Sequence, residues 1–207
     1  MSYIGIIGRQ NKDITTFNQE VINVIYKYNC IPVGIIIDPN KNNLNDLKPL
    51  IDMCDGFILQ GGTIYYDIDI EITKYLHHHD IPTLGICLGM QTMAVAINGT
   101  MVIGKLLTHN STQKYVHDIN IKKDSKLYEI LKKEQITVNS RHKDYITNTN
   151  LKISSLAKTN ETVIESVEDA SKKFFIGVQW HPETLMDENS VLLFDYFLSY
   201  CEKINFF

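Results

Sequence analysis

What most limits the fold open to this chain is an alternation of two hydrophobic periods. Tyr3 to Gly8 is a short apolar run suited to a buried strand, and Phe17, Val21, Val24, Ile25 and Tyr28 follow at helical spacing. Ile31 to Ile37 is a second β-branched run, ended by the turn signal Asp38-Pro39-Asn40, and Leu44 to Met53 reads as a short helix. Phe57-Ile58-Leu59 is a third strand closed by Gly61-Gly62. Ile68 to His79 then reads as helix, Pro82 to Ile86 as strand and Leu88 to Ile97 as an apolar helix. Repeated strand–helix–strand units predict a parallel sheet with helices on both faces.

The second half changes character. Tyr115 to Ile121, Gln135 to Val138, Leu151 to Leu156, Thr162 to Val167 and Phe174 to Gln179 read as strands, with one short helix near Ser125 to Lys132. Several are expected to pair antiparallel as an extension of the sheet, and Glu188 to Ile204 as a closing amphipathic helix. Residues 1–207 are read as a single domain, since no repeat, linker or composition shift divides them.

Composition excludes several classes. With 44% hydrophobic and 21% charged residues the chain is not disordered. A net charge of −4 gives no basic surplus for a nucleic-acid partner. No apolar run is long enough for a membrane span, and Met1-Ser2-Tyr3-Ile4-Gly5 does not read as a secretory signal, so a cytoplasmic protein is expected. Cys30, Cys54, Cys87 and Cys201 are far apart with no C-x-x-C pair, which leaves no basis for a metal site or cofactor. Cys30, Cys54 and Cys201 are expected to be small core hydrophobes.

Cys87 stands apart because of its neighbours. In Leu84-Gly85-Ile86-Cys87-Leu88-Gly89-Met90-Gln91, glycines flank it at −2 and +2 between a strand and a helix, the pattern of a nucleophile elbow. The helix N-terminus at Leu88 favours a thiolate. The competing reading is a core thiol preceding a helix. Gly177-Val178-Gln179-Trp180-His181-Pro182-Glu183, 94 positions on, supplies an imidazole poised near neutral pH and a carboxylate two places later. In extended chain these two project together from the end of one strand, stiffened by Pro182. The amides of Gly62 and Leu88 are then candidates for an oxyanion hole.

G-I-C-L-G-M-Q, an upstream strand ending in Gly-Gly, and V-Q-W-H-P-E together resemble the class I glutamine amidotransferase superfamily. Val138-Asn139-Ser140-Arg141-His142 and Glu165-Ser166-Val167-Glu168 resemble, more narrowly, its γ-glutamyl hydrolase branch, which includes enzymes cleaving γ-glutamyl-γ-aminobutyrate. The resemblance implies a flavodoxin-like α/β fold and a Cys87–His181–Glu183 triad, with Gly62 and Leu88 as oxyanion donors. It also implies that Gly61, Gln91, Arg141, His142 and Lys143 hold the glutamyl group. The sequence departs from the branch where His142-Lys143 replaces a pair of histidines and Thr63-Ile64-Tyr65-Tyr66-Asp67 replaces an Asp and a Pro. Arg141 and Lys143 there suggest an anionic leaving group, such as a phosphate-bearing amide.

Three functions follow from this pattern. The leading one is hydrolysis of a small-molecule γ-glutamyl amide through a γ-glutamyl thioester, by a chain that acts alone or as a homodimer. The alternative keeps the chemistry and delivers ammonia to a separate synthase partner, and the third is a binding module that has lost catalysis. Other signals read as structural: His77-His78-His79 as a solvated helix end, Asp67, Asp69 and Glu71 as a helix cap and Gly5-x-x-Gly8 as an incomplete dinucleotide fingerprint, while Tyr65-Tyr66 reads either as cleft lining or as packing.

Overall fold

The computed structural model describes residues 1–11, 14–38, 40, 42–104, 106, 109–158 and 162–202. In chain order the first half comprises β1 (Tyr3–Ile7), β2 (Arg9–Asn11), β3 (Ile14–Thr16), α1 (Gln19–Lys27), β4 (Ile31–Ile35), α2 (Leu44–Ile51), β5 (Gly56–Leu59), α3 (Asp67–His78), β6 (Thr83–Ile86) and α4 (Leu88–Ala96). The second comprises β7 (Thr100–Val102), β8 (His117–Ile121), α5 (Lys126–Leu131), β9 (Gln135–Val138), β10 (Tyr145–Asn148), β11 (Lys152–Lys158), β12 (Thr162–Glu168), β13 (Phe175–Val178), α6 (Pro182–Leu185) and α7 (Glu188–Ser199).

One sheet orders nine strands as β4-β1-β5-β6-β13-β12-β11-β8-β9. The first five pair parallel and the remaining junctions are antiparallel. Counting only the parallel strands, the order is the flavodoxin-like one, in which ligands bind beyond the carboxyl ends of the strands. The expected mostly parallel α/β sheet with an antiparallel C-terminal extension is therefore the fold observed.

The strand period divides the core into two layers. Ile4 and Ile6 of β1 join a cluster with Val21, Val24 and Ile25 of α1, Leu127 of α5 and Phe194 and Phe197 of α7. Ile7 points the other way, into a cluster with Leu47 of α2, Ile72 and Leu76 of α3 and Met93 of α4. Gly5 needs its missing side chain for packing, since a Cβ there would lie 2.3 Å from the Phe57 ring. Asn18, Ser125 and Asp187 accept from first-turn amides and so set the starts of α1, α5 and α7.

Several expectations change in detail. The three-residue strands β2, β3 and β7 and the short β10 form two ribbons too brief for a periodic signal. The closing helix ends at Ser199. Residues 203–204 of the expected span lie outside the described residues, as does Pro39 of the first turn, where Asn40 N donates to Asp38 Oδ1. No described helix is long and apolar enough to cross a membrane.

Candidate active site

The turn from β6 into α4 places Cys87 at the rim of the sheet in a left-handed conformation, φ 53° and ψ −106°. A non-glycine residue held there is strained, and such strain persists where packing imposes it. The flanking glycines are part of that packing: a Cβ at Gly89 would lie 1.9 Å from the Leu59 carbonyl oxygen, and one at Gly85 would lie 2.8 Å from the backbone of Gly89 and Met90. Cys87 is 6% exposed, and it opens onto a cavity of about 300 Å³.

The imidazole arrives from the neighbouring strand. β6 and β13 run parallel with Ile86 opposite Val178, and Cys87 N donates to Val178 O at 2.8 Å. Two parallel strands thereby turn 94 residues of sequence into adjacency. His181 Nδ1 meets Glu183 Oε1 at 2.7 Å and its ring hydrogen-bonds with the Cys87 thiol. A Cβ on Gly61 would lie 3.0 Å from His181 Cε1 and 3.7 Å from Cys87 Cβ, so the Gly pair also makes room for this contact. The route differs from expectation. β13 ends at Val178, and His181 caps the one-turn α6 that carries Pro182 and Glu183. The i, i+2 pair is brought together by a turn into a helix, not by extended chain.

Burial disfavours an imidazolium at His181, but hydrogen bonds with Cys87 and Glu183 outweigh it and raise the pKa to about 10. Burial, with the nearby Asp55 charge adding to it, pushes the Cys54 thiol up to about 12, and burial is likewise the largest cause raising Cys201 and Cys30. Cys54 and Cys201 are buried as expected, and Cys30 is half-buried.

Leu88 begins α4, so its N–H has no partner within the helix, and its side chain lies against Gly62. Gly62 thus sits beside the first residue of the helix that follows Cys87. Gln91, Arg141, His142 and Lys143 line the same cavity, together with Thr63, Asn110 and Asp144. Gly61 faces a second, polar cavity shared with Arg9 and Thr63. Gln91 is fixed, donating at 3.0 Å to both Gln179 Oε1 and Asp144 O, while Arg141 and Lys143 are exposed at the mouth. His142 is 5% exposed, and its Nε2 lies 3.7 Å from Glu165 Oε1.

Several supporting residues have a role that no sequence motif assigns. Asn139 accepts from His181 N at 2.7 Å and donates to His181 O at 3.0 Å and Thr184 Oγ1 at 2.9 Å, gripping the backbone that presents the imidazole. Arg9 is buried against Gly62. It donates to Asp69 Oδ1 at 2.6 Å and to Gln60 O at 3.1 Å, bracing the Gly-Gly segment from below. Asp69 also accepts from Tyr66 N, so the acidic cluster caps α3 as expected and holds Arg9 as well. Of the His77–His79 tract, His77 bonds Asp169 Oδ2 at 2.7 Å instead of lying in solvent.

The Peptidase C26 family model matches residues 66–183 of this chain. The glutamine-hydrolyzing GMP synthase subunit of Methanothrix thermoacetophila is 32% identical over 161 residues, covering 77% of this chain and 84% of that protein. The corresponding subunit of Archaeoglobus fulgidus is 30% identical over 161 residues, with 78% and 83% covered. Among solved structures, the glutaminase domain of Trypanosoma brucei CTPS with bound acivicin superposes with a TM-score of 0.75 at 18% identity, covering 97% of this chain and 94% of that one. A glutamine amidotransferase of Thermotoga maritima superposes with a TM-score of 0.68 at 14% identity, covering 98% and 99%.

Proposed function

Because this chain belongs to the Peptidase C26 family of class I glutamine amidotransferase-like proteins, we propose that it hydrolyses glutamine and hands the ammonia to a separate synthase partner. In this reading residues 1–207 act as one glutaminase unit, and the partner is a synthase of the kind named in its archaeal relatives. The observation that carries the chemistry is the hydrogen-bonded line from Cys87 through His181 to Glu183 at the edge of a cavity.

The cycle follows from that line. Cys87 Sγ, as thiolate, attacks the side-chain amide carbon of glutamine, and the new C–S bond pushes charge onto the oxygen facing the Gly62 and Leu88 amides. The His181 imidazolium gives its proton to the amide nitrogen, the C–N bond breaks, and ammonia leaves. The γ-glutamyl thioester carries no charge on sulfur, so His181 loses one of its two anionic supports; its pKa falls and the ring stays neutral, free to act as the base. It takes a proton from water as the water attacks, the C–S bond breaks, and glutamate departs with the thiolate–imidazolium pair restored. Arg141 and Lys143 at the cavity mouth complement the α-carboxylate, Asp144 complements the α-ammonium, and the tethered Gln91 shapes the wall between them.

A second reading, direct hydrolysis of a γ-glutamyl amide with an anionic leaving group, is favoured by one observation: both cations line the cavity and are exposed. Glutamate release from glutamine and from cationic and anionic γ-glutamyl amides separates the two. The glutaminase reading expects glutamine to be the best substrate, with turnover rising when the synthase partner is added and vanishing in Cys87→Ala. Fast, partner-independent cleavage of a γ-glutamyl amide with glutamine a poor substrate would overturn it in favour of the second.

A further inference from the structure

Beyond the triad, His109, His117 and His142 converge on one oxygen of a fully buried carboxylate. His117 Nε2, His109 Nδ1 and His142 Nε2 lie 3.1, 3.4 and 3.7 Å from Glu165 Oε1. Glu165 comes from the middle of β12, His117 from the start of β8 and His142 from the segment lining the cavity, so the cluster joins pieces distant in sequence.

Two observations point to a cation among them. His142 Nδ1 bonds the Asp144 carbonyl at 3.0 Å, and since a carbonyl only accepts, that nitrogen carries the proton. His142 Nε2 then faces the carboxylate, and neither it nor Glu165 Oε2 has a hydrogen-bond partner. A neutral ring in this pose aims its lone pair at an anion in a buried setting, which is costly unless positive charge, a second ring proton or a metal ion, lies between them. A ligating histidine whose other nitrogen donates to a backbone carbonyl is also the usual outer-shell arrangement at metal sites. Spacing agrees: tetrahedral zinc with bonds of about 2.0–2.1 Å has ligand–ligand edges of about 3.3–3.4 Å. The three separations bracket that edge, and the ligating atoms of His109, His117 and Glu165 all lie within 4.8 Å of one another.

We propose that His109, His117 and Glu165, whose ligand atoms already lie together, bind one divalent metal ion of the zinc type, and that His142 Nε2 closes in from 3.7 Å off Glu165 Oε1 as the fourth ligand. Three imidazoles and a carboxylate suit a borderline ion and not calcium or magnesium, which take oxygen ligands. With all four positions filled by protein the role is structural. The ion ties the cavity wall between Arg141 and Lys143 to β8 and β12, and this holds whatever the substrate.

The test uses the full chain without a polyhistidine tag, produced in zinc-supplemented medium, desalted and assayed for metal. About one zinc per chain is expected. Cobalt replacing it should give the intense visible absorption of four-coordinate Co²⁺, and chelation should lower the melting temperature, with zinc restoring it. His117→Ala and Glu165→Gln, checked for folding by circular dichroism, should weaken zinc binding at least tenfold. Replacing His78 and His79 in the exposed tract by alanine should leave it intact. A wild-type chain that retains no zinc and gives no cobalt spectrum overturns the site, whether or not the variants fold. So does binding that survives His117→Ala but is lost with His78 and His79.

Discussion

At His181 two large effects oppose each other, and the geometry decides which prevails. Desolvation favours the neutral ring, while the Cys87 contact and the 2.7 Å bond to Glu183 favour the cation and hold the pKa at about 10. The ring should therefore stay charged through neutral pH in the resting protein. In histidine proton spectra one imidazole should titrate near 10, and removing either support, by Glu183→Gln or Cys87→Ala, should bring it down. A wild type in which none of the seven histidines titrates near 10 would show that no such pair exists. The raised pKa also fixes a sign for stability. The contribution is complete below the unfolded value of about 6.5 and is lost as pH rises through about 10. The stability gap between wild type and Glu183→Gln should accordingly narrow from pH 6.5 to pH 10.5 in urea titrations. In catalysis, Glu183→Gln should lower kcat by about two to four orders of magnitude, the usual range for general acid–base assistance.

At the scale of elements, the site depends on side chains that lock one segment to another. Asn139, at the end of β9, makes three hydrogen bonds to the turn carrying His181. Asn139→Ala should cost about 2–3 kcal/mol in stability at roughly 1 kcal/mol per bond. It should lower kcat more than it changes KM, because it touches the base and not the cavity. Arg9 and Asp69 form a buried pair under the Gly-Gly segment. Asp69→Ala leaves a buried guanidinium without its carboxylate and should destabilise by about 3–5 kcal/mol, measured by denaturant unfolding. Asp69→Ala with Arg9→Met should recover much of that loss. Local sequence does not reveal either device. The nearness of Cys87, His181 and Glu183 is legible because a tight turn needs glycines at fixed spacing and a histidine and glutamate two apart stay close. Asn139, Arg9 and Gln179 are ordinary polar residues whose partners lie 42, 60 and 88 positions away, and nothing nearby in the chain shows what they hold. The α6 turn is hidden for another reason. Four residues opening with a proline give no helical period, and a histidine and glutamate two apart look the same in extended chain.

At the scale of the molecule, the parallel half is legible because each strand–helix repeat must cover its own piece of sheet. The order of the antiparallel half is set by pairing between distant strands and has no such signature. The junction lies at β13, which pairs parallel with β6 on one side and antiparallel with β12 on the other. The triad straddles this seam, with Cys87 following β6 and His181 following β13. A single cooperative unit is expected, since core residues from α1, β8, α5, β13 and α7 share one cluster across the seam. The chain supplies its own probe, because its one tryptophan, Trp180, is 3% exposed and adjoins His181. Unfolding in urea followed by Trp180 fluorescence should coincide with unfolding followed by far-ultraviolet circular dichroism. Were β8, β9, β11 and β12 a separate domain, part of the dichroism would be lost in its own transition while the environment of Trp180 still depended on the parallel strands. Coincident midpoints would make the catalytic seam as stable as the whole sheet. Displaced midpoints would divide the chain at β13, and the active site would then lie between two units.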